Sequence, residues 1–582
     1  MSLKTIERIL ASLLWKQNLA IYSPPDSTRE LVVAPRKTVL LTSLAEDKGP
    51  CAIHRIPPEL LIVIFKDVLS DYFRGPTFRI SSRDDARVDP SSLISITQVC
   101  RWWRDVAISW PLLWSRLDNN AHIAQSATFF LRSQDSPLSV YFTTTGRPLK
   151  DIDFNIGCRL RRLDITVLPE ASDIFPFIRS LAVPDSLQCC TVNYSRFIQI
   201  PPDADVERVS LFGASVLPLK ALAMHNVANW IPANSFPHLT HLYLDFGVGR
   251  GDATQLVRLV DLLRNAPKVE YLLVSNISWM HPQSSPRPPL VPLRHLCFFL
   301  LAHTSIEVAY TLLSAIAMPR HAYVRLDGMY ADPRRPNLPS LPVLPVVEET
   351  NRLEIVTEAS ELRLVAEGPS SGLWMQMDFD LRETGDRHRL DTWLLSLHTA
   401  LPVRNVATLL LSLGDHANLV PSLLPRFTGV TEICLVTHIQ YERKTGPTDA
   451  SWSVARALYS ALAIPNVCPR LRSLCVDIAV GVNPLIPNIY ASFLADMMIS
   501  RSENGLSVPL VGIQAFAGSR WSGVRPFDEV EDQMTPVEHF NEVQLLPPGP
   551  YLEPFLERLC WVFDEFEKYW EVEDVYKPMY AD

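Results

Sequence analysis

The sequence predicts a multidomain protein: a small all-α bundle of three helices, then an irregular α/β repeat solenoid, then a C-terminal acidic helix. Three observations favour this fold class. The chain has 582 residues, more than a single ordinary core accommodates. Apolar residues recur at helical spacing between residues 51 and 118. Downstream of them, one short apolar phrase recurs many times, which is typical of a repeat architecture.

The composition and charge are those of an ordinary globular protein. Hydrophobic residues make up 47% of the chain and charged residues 20%, which excludes wholesale disorder. The net charge is −9 and no run of Lys and Arg occurs, so we expect no nucleic-acid partner. No stretch approaches the roughly 18–20 apolar residues of a membrane span, so we expect no membrane partner. The 10 cysteines form no CxxC pair and predict reduced thiols, in the cytoplasm and/or the nucleus.

Three helices are predicted in residues 51–118, after an N-terminal stretch (1–50) with one amphipathic helix candidate at 6–19. The first opens at Pro57-Pro58, the second after Asp89-Pro90 and the third at Pro111, because proline suits the first helical turn. Their apolar stripes are Leu60, Leu61, Ile64, Phe65, Val68 and Leu69; then Leu93, Ile96, Val99, Cys100, Trp103, Val106 and Ala107; then Leu112, Leu113, Trp114 and Leu117.

These stripes are wide for so small a bundle. A bundle of this size buries little surface by itself, so part of its apolar surface is expected to stay exposed. An uncovered apolar face on a helix pair suits the helices of a partner protein. The alternative is that the three helices are core elements of a larger domain.

The order and spacing of these residues resemble the F-box family. That family opens with an apolar residue, proline and an acidic-apolar helix, here Ile56-Pro57-Pro58-Glu59-Leu60-Leu61, ending in the pair Ile64-Phe65. It continues with Leu93, Val99, Cys100 and Trp103 at the family spacing and closes with Leu113-Trp114-Ser115-Arg116-Leu117. An insertion at 70–88 departs from the short turn of the family. The resemblance implies binding to a Skp1-like adaptor, and through it to a cullin, by Ile56, Pro57, Leu60, Leu61, Ile64, Phe65, Leu93, Val99, Cys100, Trp103 and Trp114.

The phrase apolar-x-x-apolar-x-apolar recurs through residues 119–545, and its last three positions fit a short strand. Helical stretches at 254–265, 306–317, 390–400 and 453–463 precede several phrases, which predicts a leucine-rich-repeat-like solenoid that binds a protein. The pattern fades at 319–386, and a generic α/β or β-rich domain is the alternative. The phrases are Leu160/Leu163/Ile165, Ile178/Leu181/Val183, Val206/Val209/Leu211, Leu219/Leu222/Met224, Leu239/Leu242/Leu244, Val269/Leu272/Val274, Leu293/Leu296/Phe298, Val406/Leu409/Leu411, Val430/Ile433/Leu435 and Leu471/Leu474/Val476.

The C-terminal segment, 546–582, combines acidic residues with apolar residues at helical spacing. Residues 551–582 hold nine Asp and Glu against three basic residues. An open repeat stack needs a cap, so this segment is predicted to be a capping helix. The alternative is an acidic-aromatic tail that binds a partner.

Patterns of catalytic or metal-binding type have structural explanations. Residues 368–372 match G-x-S-x-G, but the alternation on both sides predicts a hairpin instead of the strand–turn–helix of a hydrolase. His238 and His241 flank Leu239 inside a repeat phrase, and Cys468 and Cys475 lie seven apart around another phrase, so both pairs fit repeat residues. We therefore expect no enzyme activity, cofactor or metal. A serine hydrolase built on Ser370 is the remote alternative.

The function that this sequence predicts is substrate recognition for an SCF-type ubiquitin ligase. The F-box resemblance supplies the docking on a Skp1-like protein, and the repeat region supplies a surface for an unknown target protein. The alternative is a scaffold protein with the same two regions that mediates protein–protein interaction without ubiquitination.

Overall fold

The computed structural model describes residues 56–69, 90–144, 159–167, 185–194, 210–226, 230–247, 254–277, 289–332, 337–358, 361–379, 384–438, 441–442, 446–447, 449–480, 486–506, 510–517 and 569. The chain forms two compact units, Met1–Pro57 and Pro58–Asp582. The elements below belong to the second unit. The helix predicted at 6–19, the insertion at 70–88 and the phrase Ile178/Leu181/Val183 lie outside the described residues, as does the C-terminal segment apart from Tyr569.

The second predicted helix of the N-terminal bundle is interrupted at Cys100. After α1 (Pro58–Val68), α2 spans Ser91–Val99 and α3 spans Arg101–Ser109. Cys100 between them is extended, with φ −160° and ψ 172°. Its thiol accepts a hydrogen bond from the Trp103 backbone N–H at 3.5 Å and caps α3. The single helix predicted over this stripe is therefore wrong, because Cys100 starts a new helix instead of continuing the first.

The third predicted helix is a 3₁₀ turn that runs directly into a β-sheet. The turn spans Pro111–Trp114, and only Ser115 separates it from the first strand, β1 (Arg116–Asp118). Leu117, predicted on the third helix, thus lies on a strand. Its pairing with Val140 of the next strand overrides the helical pattern of this short apolar run.

A 16-stranded sheet dominates the rest of the described chain. Its order is β1-β2-β3-β4-β5-β6-β7-β9-β11-β14-β13-β12-β15-β16-β19-β20, and all neighbours are parallel except the two pairs that include β13. Two short pairs, β8 with β10 and β17 with β18, stand apart from it. The strands after β1 are β2 Leu138–Thr143, β3 Leu160–Val167, β4 Cys189–Tyr194, β5 Ala221–His225, β6 His241–Asp245, β7 Tyr271–Ser275, β8 Val291–Pro292, β9 Phe298–Ala302, β10 Ile316–Ala317, β11 Tyr323–Tyr330, β12 Arg352–Glu358, β13 Glu361–Glu367, β14 Gly372–Asp378, β15 Thr408–Ser412, β16 Glu432–His438, β17 Tyr441–Glu442, β18 Gly446–Pro447, β19 Ser473–Val480 and β20 Leu510–Ala517.

Helices fill many of the connections between parallel strands, as parallel pairing requires. Helices are observed at all four predicted stretches, 254–265, 306–317, 390–400 and 453–463, and their ends lie within six residues of the predicted ones. The helices are α4 Ile123–Arg132, α5 Thr254–Arg264, α6 Ile306–Ala315, α7 Thr384–Ser396, α8 Val420–Leu423, α9 Asp449–Ala463 and α10 Ile486–Glu503, with 3₁₀ turns at Leu211–Gly213, Pro345–Val347, Leu397–Thr399, Gly414–Leu419 and Leu424–Arg426. No helix in the described ranges has the length and apolar content to cross a membrane.

The last two apolar positions of the phrase correspond to two rows of buried side chains, here called ladders, that run across the strands from β3 to β11. Neighbouring phrases stand in register, so that their last two apolar positions pair strand by strand, and burying each such side chain stabilises the fold by roughly 1.5–3 kcal/mol. One ladder is Leu163, Cys190, Leu222, Leu242, Leu272, Phe299 and Val324. The other is Ile165, Val192, Met224, Leu244, Val274, Leu301 and Leu326.

The register of one predicted phrase was wrong. The phrase Leu293/Leu296/Phe298 predicted that Leu296 and Phe298 hold the ladder positions, but Phe299 and Leu301 hold them. Residues 296–302 are almost continuously apolar, so the sequence offers several equivalent registers and only the pairing with β7 selects one.

Three strands end in the same unusual backbone conformation, which also interrupts a fourth strand. Asn226, Asn276 and His303 directly follow β5, β7 and β9 with φ of 57°, 57° and 52°, and Gly328 holds φ 55° at the equivalent place in β11. Asn, His and Gly are the residues that tolerate positive φ best. β6, between β5 and β7, differs from them, since its positive φ is at Gly247, two residues after the strand.

The region where the phrase fades, 319–386, contains an antiparallel insertion. Strands β12, β13 and β14 form a meander between β11 and β15 in the sheet. The G-x-S-x-G residues join β13 to β14, where the Gly368 N–H donates to the Ser371 carbonyl at 2.9 Å. The predicted hairpin is thus confirmed, and Ser370 lies exposed at its tip.

The face of the sheet opposite the ladders is also buried. Side chains alternate along a strand, so this second face carries the residues between the ladder positions. They form one apolar cluster of Cys189, Ala221, Ala223, Tyr243, Leu273, Phe298, Leu300, Ala302, Val365 and Trp374. Burial on both faces is the usual state of parallel sheets.

Candidate functional site

The first candidate site is the helical segment α1–α3 with the 3₁₀ turn. Its core is packed: Leu61, Phe65, Leu93 and Trp103 are buried. The Phe65 and Trp103 rings meet edge to face with centroids 5.2 Å apart. Because the stripes were predicted from periodicity alone, these buried positions could be found from sequence.

Trp114 joins this segment to the sheet region. It is 2% exposed, and its indole N–H donates to the Ala107 carbonyl of α3 at 2.8 Å. Its ring meets the Phe129 ring of α4 at 5.1 Å, and the Arg132 guanidinium lies 4.3 Å from its centroid. One side chain therefore contacts the helical segment on one side and the first helix of the sheet region on the other.

Both α1 and α2 expose large apolar side chains to solvent. Leu60 and Val63 on α1 are each 56% exposed, and Ile94 and Val99 on α2 are 41% and 50% exposed. We refer to these four residues as the exposed apolar set. The spacing of Leu60 and Val63, three apart, places them on one side of α1.

The sequence-predicted site residues thus divide into two groups. Leu61, Phe65, Leu93, Trp103 and Trp114 are buried and can only support a docking surface. The residues with exposed or partly exposed side chains are Ile56, Pro57, Leu60, Ile64, Val99 and Cys100.

The sequence interpretation did not include Val63 and Ile94, which are exposed like Leu60 and Val99. Each lies next to an apolar stripe without belonging to it, at a position where a solvated helix face would carry a polar residue. An apolar residue at such a position could have indicated an exposed apolar side chain from the sequence alone.

A buried polar network lies on the second face of the sheet at the carboxyl ends of its strands. Asp245 accepts hydrogen bonds from His225 Nε2 at 3.0 Å, Ser275 Oγ at 3.0 Å, Asn276 Nδ2 at 2.7 Å and the Gly247 N–H at 3.0 Å. Burial raises the pKa of Asp245, but His225, Asn276 and Gly247 outweigh it and bring the pKa to about 2. These donors keep the carboxylate ionised and fix the ends of β5, β6 and β7.

We expect Asp245→Ala to lower the free energy of unfolding by about 3 kcal/mol, because it leaves buried donors without an acceptor. The depressed folded-state pKa means that the carboxylate stabilises the fold above the unfolded value of about 4. This contribution is lost as the pH falls from about 4 towards about 2. Urea denaturation at pH 7 and pH 3 measures both effects. The matched control is Asp261→Ala at an exposed carboxylate, and equal losses for both variants would contradict the prediction.

No group of three or more His, Cys, Asp or Glu is arranged to hold a metal ion among the described residues. His238 is exposed and His241 is buried at the start of β6, where it stacks on Tyr271 with ring centroids 4.6 Å apart. The two histidines thus lie just before a strand of the sheet and at its first residue.

One comparison with known proteins identifies part of the chain. The family model described as F-box-like matches residues 53–120. These residues contain α1–α3, the 3₁₀ turn and β1. No curated protein matches the chain. The chain therefore contains an F-box-like domain, a type of domain with a protein-interaction role that generally binds Skp1-like proteins.

Proposed function

We propose that this protein is a substrate-recognition adaptor of an SCF-type ubiquitin ligase, which binds a Skp1-like protein through its F-box-like domain and a target protein through its sheet region. The observation that carries the proposal is the exposed apolar set on two helices of an F-box-like domain whose own core is complete. Large apolar side chains exposed next to one another, as Leu60 and Val63 are on α1, are typical of a protein interface. A cullin would join through the Skp1-like protein.

Contact with the helices of a partner explains the exposed apolar set better than packing within this chain does. Leu60 and Val63 project from the same side of α1 and stay in solvent although the neighbouring Leu61 and Phe65 are fully buried. Covering each of them would stabilise a complex by roughly 1.5–3 kcal/mol before the cost of association.

The sheet region supports the second half of the proposal. We infer that it is a leucine-rich-repeat-like region, because parallel strands, helical connections and shared strand-end turns recur with two apolar ladder positions in each unit. Repeat regions of this kind present extended surfaces that suit protein ligands. The protein would then contribute the local concentration and orientation of its target, while other subunits carry out the covalent chemistry. We propose that it has no enzyme activity of its own and acts in the cytoplasm or nucleus.

Changing the exposed apolar set tests the docking. The double variant Leu60→Asp, Val63→Asp is expected to lose at least about tenfold in affinity for a Skp1-like protein, because two charges replace apolar contacts at a buried interface. Both side chains point to solvent in the free protein, so the variant should fold. Co-purification and titration with purified Skp1-like protein provide the measurement.

The matched control is Ile499→Asp, an equal change at an exposed apolar residue of α10. It should bind like the unaltered protein. Phe65→Asp is not suitable, since Phe65 is fully buried and its loss would unfold the domain. Undiminished binding by the folded double variant would refute docking through α1.

The second candidate function is a scaffold that binds a Skp1-like protein without directing ubiquitination. The same F-box-like domain supports it. Two measurements separate the candidates: whether a cullin co-purifies, and whether a captured protein becomes more stable in cells when residues 53–120 are deleted.

A further inference from the structure

The second face of the sheet contains a slot between β3 and β6. The two strands between them, β4 and β5, carry only short side chains there: Cys189, Thr191, Ala221 and Ala223. The flanking strands carry longer ones in the same rows: Arg162 and Asp164 on β3, His241 and Tyr243 on β6. Strands are about 4.8 Å apart, so β3 and β6 are separated by roughly 14 Å, enough for an extended segment and an aromatic ring.

Tyr569 lies in this slot, although more than 300 residues of chain separate it from β6. Its ring meets the His241 ring edge to face, with centroids 4.8 Å apart, and packs against the apolar cluster of the second face. Its backbone carbonyl accepts a hydrogen bond from Arg162 Nη1 at 2.7 Å. The slot thus engages the two features of a peptide that carries an aromatic residue: the main-chain carbonyl and the ring.

The slot also has hydrogen-bonding groups that Tyr569 does not satisfy. Arg162 Nη2, Asp164 Oδ1 and Thr191 Oγ1 are buried and have no hydrogen-bond partner. Arg162 is already held by Asp164 at 2.8 Å through its Nε, so its Nη2 is positioned to donate to another acceptor. Because buried polar groups are normally paired, a ligand with an acceptor for Arg162 Nη2 would fit the slot better than Tyr569 does.

We propose that this slot is the target-binding site, that its ligand is a peptide segment with an aromatic residue beside a carboxylate, and that Tyr569 occupies it in the free protein. The inference rests on the proposed function, in which the sheet region receives the target. The aromatic ring takes the place of the Tyr569 ring on His241. The carboxylate accepts a charge-assisted hydrogen bond from Arg162 Nη2, while Nε stays on Asp164 and Nη1 stays on the main-chain carbonyl.

The sequence around Tyr569 has this same chemistry. Glu567 and Glu571 lie two residues to either side of it. Because the segment is tethered, it competes with a free peptide at high effective concentration. A target must therefore displace this segment, so peptides of low affinity do not bind the unaltered protein.

A labelled synthetic peptide of residues 562–576 tests the slot on the full-length protein. It should bind the Tyr569→Ala protein about 100-fold more tightly than the unaltered protein, because the tethered competitor is weakened. Tyr569→Phe keeps the ring and the carbonyl and should behave like the unaltered protein. Fluorescence polarisation gives the affinities.

Arg162 and its neighbour Arg161 provide a test variant and a matched control. In the Tyr569→Ala protein, Arg162→Gln should weaken peptide binding about tenfold or more, since it removes a charge-assisted hydrogen bond. Arg161→Gln should have no effect, because Arg161 is exposed and bonds instead to the Ser186 carbonyl. A peptide whose own tyrosine is replaced by alanine should not bind.

Equal peptide binding by the Tyr569→Ala and unaltered proteins, or no binding by either, would overturn the proposal and leave Tyr569 a structural contact. Retention of a Skp1-like protein is measured on the same samples. If retention is intact while the peptide fails, the slot assignment alone is lost. If retention fails in the unaltered protein, the proposed docking is lost instead.

Discussion

Replacing Trp114 with alanine is expected to lower the free energy of unfolding by about 3–5 kcal/mol, as for other buried tryptophans. The side chain is 2% exposed and contacts Phe129 and Arg132 on α4 as well as α3. Its removal leaves a cavity and strips the Ala107 carbonyl of the indole donor. Urea denaturation with far-ultraviolet circular dichroism provides the measurement.

The neighbouring Trp102 is the matched control, because it is only partly buried. Trp102→Ala should cost less than half as much, as less apolar area returns to water. Trp114→Phe should recover part of the loss, since it keeps the edge contact with Phe129 but lacks the N–H. A Trp114→Ala protein as stable as Trp102→Ala would contradict the packing described above.

Arg501→Met is expected to destabilise the protein by about 3 kcal/mol or more, because it removes the side-chain donor of three buried carbonyl groups, of which that of Cys468 keeps the Leu471 N–H. Arg501 of α10 is 1% exposed. Its Nη1 donates to the carbonyls of Leu462 and Val467 at 2.7 and 3.1 Å, and its Nη2 to the Cys468 carbonyl at 3.0 Å. These carbonyls lie at the end of α9 and just beyond it, where helical carbonyls have no partner within the helix.

Burial lowers the pKa of Arg501, yet arginine remains charged in proteins, so the side chain functions as a cation at the end of α9. Arg501→Lys should recover only part of the stability, because an ammonium cannot reach three carbonyls in a planar fork. Arg470→Met, at an exposed arginine, serves as the control and should change stability by less than about 0.5 kcal/mol. If Arg501→Met unfolds at the same urea concentration as this control, the capping role is wrong.

Much of the helical segment could be predicted from sequence, because periodicity reports which side chains are buried. Phe65, Leu93 and Trp103 were placed in stripes and are buried. The break at Cys100 could not be predicted, since a thiol is an uncommon helix cap and the apolar stripe continues through it. Apolar periodicity also cannot separate a buried apolar position from an exposed one, which is why Val63 and Ile94 were not included.

The ladders of the sheet were largely predictable, and the contacts across long sequence distances were not. Leu242 and Leu272 stood in phrases that the pairing of strands reproduces. The register at Leu296 depended on pairing with β7, which no local pattern contains. Tyr569 on His241 and Arg501 under α9 each join segments remote in sequence, and a single sequence carries no sign of such contacts.

The single residue between the 3₁₀ turn and β1 has a mechanical consequence. Ser115 is buried, and Trp114 before it contacts both α3 and α4, so no loop separates α3 and the 3₁₀ turn from the first strand. Under the proposed function, a target protein bound to the strands would keep a fixed orientation relative to the Skp1-like protein bound at α1 and α2. The distance over which ubiquitin is transferred would then depend on the size of the target and on which strands it binds. Inserting flexible glycines after Trp114 would make that distance variable.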